Sequence, residues 1–140
     1  MNEEKLSVGG VQVLIVEDDP NNRIVISRLL KLSGVSGERI HETDGDAMEY
    51  LARTGAHVDL VFLDLQLPRK DGYRVLEELR AAPERAGLVV VALTANVMRR
   101  DLDRCRAAGF DGFIGKPIDG RRFSELLGRI LARESVWTIS

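Results

Sequence analysis

Short, continuous apolar runs rich in β-branched residues constrain this chain more than any other feature. Four stand out: Val11–Val16, Leu60–Leu63, Leu88–Leu93 and, more weakly, Gly112–Ile114. Runs of this length, without polar alternation, suit strands buried on both faces, and therefore a parallel sheet. A weaker strand fits at Arg39–Thr43. Between the runs the apolar period becomes helical. Phe123, Leu126, Leu127, Ile130 and Leu131 fall at i, i+3, i+4, i+7 and i+8, the stripe of an amphipathic helix. Val75, Leu76 and Leu79 mark a second helix, and Ala47, Tyr50 and Leu51 a shorter one after Asp44-Gly45. Val25, Leu29 and Leu32 mark another, opened by Asp19 as cap and Pro20 at the first helical position. Met98, Leu102 and Cys105 mark a fifth, stopped by Gly109. Strand and helix thus alternate about five times, which argues for an open α/β sheet. Right-handed crossovers would place helices on both faces.

Composition narrows the class. The 140 residues fit one domain, and 44% hydrophobic content is too high for disorder. Lys and Arg total 20 against 22 Asp and Glu, so no basic excess drives direct nucleic-acid binding. Leu88–Leu93, the longest wholly apolar run, is far short of the roughly 20 residues of a membrane span, so no membrane insertion is expected. The N-terminus lacks a basic region followed by an apolar stretch, and a cytoplasmic location is expected. The lone Cys105 excludes an internal disulfide and a multi-cysteine zinc site. It reads as a small buried hydrophobe on its helix. Residues 1–10 and 134–140 read as tails around a domain spanning 11–133.

In a parallel sheet all strands end on one edge, where ligands bind. Here that edge collects Glu17, Asp18 and Asp19 after the first strand, Asp64 after the third and Thr94 after the fourth. Lys116-Pro117 follows the fifth. Carboxylates crowded together cannot all stay ionised without a counterion. A hard divalent cation answers that need, and Mg²⁺ typically takes one or two carboxylates with phosphate oxygens and water. Adding a spare carboxylate, a hydroxyl and an ammonium equips the edge for phosphoryl transfer. Asp64 would be the nucleophile and would form an acyl phosphate.

Four segments carry a family resemblance: Val13–Pro20 (VLIVEDDP), Leu63–Pro68 (LDLQLP) with Asp71-Gly72, Ala92–Asn96 (ALTAN), and Gly115–Pro117 (GKP). Together they resemble the receiver domain of two-component response regulators, the CheY-like superfamily, over about Val11 to Arg133. The resemblance implies a flavodoxin-like (βα)5 fold, a doubly wound, parallel, five-stranded sheet of order 2-1-3-4-5. It also implies a phosphorylation-controlled signalling switch rather than an enzyme. Asp64 matches the phospho-acceptor, served by a histidine kinase or a histidine phosphotransfer protein. Asp18 matches a direct Mg²⁺ ligand and Glu17 one acting through water. The backbone carbonyl of Gln66 completes the metal site, with Mn²⁺ as the alternative ion. Thr94 matches the hydroxyl that moves onto the phosphate, and Lys116 the lysine that pairs with it. Phe113 matches the aromatic switch residue, and the Lys116-Pro117 peptide is cis in the family. A downstream protein would dock on the face of the fourth helix, fifth strand and fifth helix. Gln66 and Asn96 occupy positions that tune phosphate lifetime. Lys70 departs from the methionine often found in the Pro-x-Met-Asp-Gly turn.

Other functions fit less well. A haloacid-dehalogenase-type Mg²⁺-dependent phosphatase needs a second aspartate two positions past the nucleophile, and Gln66 stands there. A flavin or nucleotide binder needs a phosphate-cradling loop after the first strand, where three acids would repel the phosphate. His41 and His57 are isolated and read as structural, Asp19 as a cap, and Trp137 as part of the tail. No output domain is expected. A stand-alone receiver is preferred, with a segment of a hybrid histidine kinase as the alternative.

Overall fold

The computed structural model describes residues 5–68, 70–95 and 98–138. In chain order the elements are β1 (Val13–Val16), α1 (Pro20–Leu32), β2 (Ile40–Thr43), α2 (Ala47–Thr54), β3 (Leu60–Asp64) and α3 (Gly72–Arg80). They continue with β4 (Val89–Thr94), α4 (Arg99–Ala108), β5 (Gly112–Gly115), α5 (Phe123–Leu131) and β6 (Val136–Thr138). The strands form one parallel sheet, ordered β2-β1-β3-β4-β5-β6. This is the expected α/β flavodoxin-like order with one strand added at the end.

Strand geometry sends alternate side chains to opposite faces. Val13 and Ile15 of β1 join Phe62, Val91 and Ile114 in one apolar layer, covered by Ile26 and Leu30 of α1 and Phe123, Leu127 and Ile130 of α5. Leu14 and Val16 point the other way, with Val61, Leu63, Val90, Ala92 and Phe113, under Leu51 of α2, Val75, Leu76 and Leu79 of α3, and Cys105 of α4. Because both faces are covered, the central strands carry no polar alternation.

Caps set the helix starts. Asp19 accepts from the Asn21 N–H at 2.9 Å, Asp46 from Glu49 at 3.0 Å, and Asp71 from Tyr73 and Arg74 at 2.7 and 3.2 Å. Gly109 closes α4 in the left-handed region, with φ of 102°, where glycine carries no Cβ penalty.

Four expectations need correction. Met98, expected in the apolar stripe of α4, precedes the helix as its N-cap and is 57% exposed, leaving Cys105 as the buried residue. On α1 the expected stripe was Val25, Leu29 and Leu32, but Val25 is 49% and Leu32 78% exposed. Ile26 and Leu30 are the buried pair, with Leu29 packed partly against the core. The sequence from Ile24 to Leu30 is apolar on two adjacent stripes one residue apart, so period alone does not choose the inward one. The C-terminal segment is not a tail throughout, because Val136–Thr138 forms β6 on the outer side of β5. Nor is the N-terminal segment loose from residue 6 onward. Leu6 and Val8 pack on the core, and the Leu6 N–H donates to the Leu131 carbonyl at 2.8 Å.

Candidate functional site

The C-terminal ends of β1, β3, β4 and β5 meet where the ladders stop. Pairing sets Val16 beside Leu63, Asp64 beside Leu93, and Thr94 beside Gly115. Asp64 and Thr94, and Glu17 and Lys116 just past Val16 and Gly115, are therefore gathered at one edge of the sheet. Glu17 and Asp64 are only 1% and 2% exposed, while Asp18 faces solvent. Carboxylate oxygens of Glu17, Asp18 and Asp64 all lie within 4.8 Å of one another.

Lys116 joins residues from three strand ends. Its Nζ donates to Glu17 Oε1 at 2.8 Å and to Asp64 Oδ2 at 3.3 Å. Burial by itself pulls the Lys116 ammonium down. The hydrogen bonds and charges of Glu17 and Asp64 outweigh it and hold the group above its ordinary range. The Lys116-Pro117 peptide is cis, as expected, and the Lys116 N–H donates to the Thr94 carbonyl at 2.8 Å. The Gln66 N–H donates to Asp64 Oδ1 at 2.9 Å, so the backbone fixes this carboxylate two residues on. Glu17 Oε2 accepts from the Asp19 N–H at 3.1 Å. Thr94 is buried and sits two residues beyond Ala92, hence on the same sheet face. Phe113 is buried on that face as the β5 partner of Ala92. Asn96 lies outside the described residues.

Glu17, Asp18, Asp64 and Lys116 are thus brought together, with Thr94 at the rim and Phe113 one layer behind. Three carboxylates around one ammonium leave an excess of negative charge. This all-oxygen donor set suits a hard divalent ion such as Mg²⁺ or Mn²⁺.

Arg23, which carries no sequence motif, also braces the site. From the first turn of α1 its Nη1 donates to the Glu17 carbonyl at 2.7 Å and the Asp18 carbonyl at 3.3 Å, and its Nε pairs with Glu42 at 3.6 Å. Lys70 finds a role of its own, pairing with Glu78 of α3 at 2.9 Å and approaching Asp46 at 3.9 Å. Gly72 admits the close approach behind Asp64: a Cβ there would lie 2.8 Å from Leu65 Cα and 3.0 Å from the Asp64 carbonyl oxygen.

The remaining reactive side chains are structural. His41 bridges Tyr50 Oη at 3.1 Å and Gln12 Oε1 at 3.0 Å. His57 pairs with Asp59 at 3.1 Å. Cys105 is buried against Tyr73 Oη at 3.4 Å, and burial pushes its thiol up, away from reactivity.

The response regulator receiver domain profile matches residues 13–128, nearly the whole chain. The chain belongs to the response regulator receiver domain family. Among curated relatives, this receiver is 36% identical over 115 residues to the polar-differentiation response regulator DivK of Brucella ovis, covering 82% of this chain and 91% of DivK. It is 32% identical over 120 residues to hybrid signal transduction histidine kinase L of Dictyostelium discoideum, covering 83% of this chain but only 7% of the kinase. Among solved structures, the receiver domain of sensor histidine kinase PA1611 from Pseudomonas aeruginosa PAO1 superposes with a TM-score of 0.72 at 28% identity, over 88% of this chain and 98% of that one. That structure holds a magnesium ion in its active-site cleft. Chemotaxis response regulator CheY4 of Vibrio cholerae shares the fold, with a TM-score of 0.73 at 22% identity over 86% and 98% of the two chains. The chain is a receiver domain of two-component signalling. Among the described residues no helix is long and apolar enough to cross a membrane.

Proposed function

We propose that this receiver is a phosphorylation switch of a two-component phosphorelay, taking a phosphoryl group on Asp64 from a histidine kinase or phosphotransfer protein. The observation that carries the reading is the single Lys116 ammonium shared by the buried Glu17 and Asp64 carboxylates. A carboxylate in that setting can act as nucleophile beside a cation able to take up the charge it loses.

In the transfer, an Asp64 carboxylate oxygen attacks phosphorus. The new P–O bond forms as the donor's P–N bond breaks, and the imidazole leaves with the bonding pair and takes up a proton. Lys116 lies close enough to Asp64 Oδ2 to follow the charge onto a phosphoryl oxygen. The Gln66 N–H keeps the acceptor carboxylate oriented, and such positioning is most of what catalysis of this transfer requires. Thr94 is the hydroxyl that closes onto the phosphoryl group, with Phe113 following behind it. Asp18, Asp64 and the Gln66 carbonyl would hold Mg²⁺ or Mn²⁺, with Glu17 acting through water. The ion, when bound, offsets charge on the transferring group. The PA1611 structure and the acidic cluster support this metal choice.

The match over 91% of DivK supports a stand-alone regulator, and the kinase L match supports the hybrid-kinase alternative. A phosphatase is not favoured, because the Gln66 amide is not acidic enough to protonate a leaving group as general acid. The test is labelling with acetyl phosphate and Mg²⁺, read by intact mass. Wild type gains one phosphoryl group and Asp64→Asn none. Equal labelling of the two proteins would overturn the reading.

A further inference from the structure

β6, within the expected C-terminal tail, lies on the face where a downstream protein is expected. β6 pairs in parallel with β5, matching Gly112 to Val136, Phe113 to Trp137 and Ile114 to Thr138. Val136 is 1% exposed and belongs to the apolar layer under α5. Trp137 turns to the opposite layer, with the Arg106 guanidinium of α4 lying 4.7 Å from its ring centroid. The segment therefore touches α4, β5 and α5 together.

A built turn brings it there. Arg133 adopts φ of 65°, the Glu134 N–H donates to the Arg129 carbonyl at 3.0 Å, and Arg129 pairs with Glu134 at 3.2 Å. Gly112 makes room for the pairing. A Cβ there would lie 2.8 Å from the Val136 carbonyl oxygen, yet only in ordinary contact, 3.5 Å, with Val91 Cγ2. The pairing is also short. Three residues make a strand at the low end of the usual length range, and Val136 is its one fully buried side chain. Both elements flanking Trp137 lead back to the site. β5 runs into Lys116, and α4 follows the end of β4 at Thr94.

We propose that Val136–Thr138 is a resident plug on the α4–β5–α5 face, and that phosphorylation of Asp64 releases it. The vacated β5 edge then accepts an extended segment of a protein partner, with a β-branched residue in the Val136 slot and an aromatic in the Trp137 slot. The coupling rests on the phospho-acceptor reading above. Because such coupling is reciprocal, loosening the strand must favour phosphorylation by the same factor that phosphorylation favours release.

Trp137 is the only tryptophan in the chain, so its fluorescence reports the plug alone. Wild type is treated with acetyl phosphate and Mg²⁺, with incorporation followed by intact mass. The expected result is a red-shifted emission and increased acrylamide quenching in step with incorporation, both absent in Asp64→Asn. Full incorporation with unchanged emission and quenching overturns the proposal. No incorporation overturns the phospho-acceptor reading and the coupling with it. Independently of phosphate, Gly112→Ala evicts the strand, giving the red-shifted emission at once and, at equilibrium with acetyl phosphate and acetate, a ratio of phosphorylated to unphosphorylated protein raised by about fivefold or more. Should Gly112→Ala fail to fold, Val136→Asp makes the same comparison. An exposed Trp137 with an unchanged phosphorylated fraction at that equilibrium overturns the coupling.

Discussion

Lys116 is the residue whose ionisation the site most depends on. Its pKa in the folded protein is raised above the unfolded value, because Glu17 and Asp64 outweigh the burial that pulls it down. Protonation therefore favours the folded state. The contribution is fully present below the ordinary lysine value of about 10.4 and is lost as pH rises through the higher folded value. The stability difference between wild type and Lys116→Met should be flat from about pH 7 to pH 9 and shrink above about pH 10. Urea unfolding across that range checks it, and a difference that shrinks already below about pH 8 would show that the ammonium is not held this way. Most of this residue's surroundings were legible beforehand. Strand ends on one edge of a parallel sheet collect whatever follows each strand, so Glu17, Asp18, Asp64, Thr94 and Lys116 could be placed together from spacing alone. Arg23 could not, because an arginine in a helix's first turn carries no sign of which backbone carbonyls it will meet.

Among the elements, α1 and β6 show where periodicity stops being informative. An apolar run such as Ile24–Leu30 supports two neighbouring stripes, and only contact with β1 and α5 selects Ile26 and Leu30. The selection has a measurable consequence. Ile26→Ala should cost about 2–5 kcal/mol through lost burial and a residual cavity, whereas Val25→Ala should stay within about 0.5 kcal/mol. Equal losses in chemical denaturation would refute the assignment. Helices whose apolar positions form single stripes match the expectation: Val75, Leu76 and Leu79 of α3 are all buried, as are Phe123, Leu126, Leu127, Ile130 and Leu131 of α5. β6 was hidden by its brevity, although a β-branched, aromatic, β-branched sequence such as Val136-Trp137-Thr138 has the right propensity for a strand. Its partner strand supplies the rest, since Gly112 leaves room that any side chain would fill.

For the whole molecule, the site is a junction at which the ends of β1 and β3 share one cluster of like charges. A divalent ion bound there ties β1 to β3 in the folded state only, so it should stabilise the protein by mass action, by about 2.7 kcal/mol at a hundredfold excess over its dissociation constant. Thermal melts with and without Mg²⁺ measure this. Asp18→Asn removes one charge from the crowd, so it should melt higher than wild type without metal and lose the Mg²⁺-dependent gain. An Asp18→Asn protein that melts lower without metal, yet keeps the Mg²⁺ gain, would place the ion elsewhere.

The amino-acid sequence by itself determined the alternation of strands and helices, the parallel sheet and the residues gathered at its functional edge. These follow from local periodicity and from the fixed direction of parallel strands, both properties of a chain read residue by residue. The tertiary structure decided which stripe of α1 faces inward, that Arg23 and Lys70 brace the loops around Asp64, and that Val136–Thr138 closes the β5 edge. Each of those outcomes turns on contacts between distant segments, where two local conformations of similar energy are separated only by what they pack against.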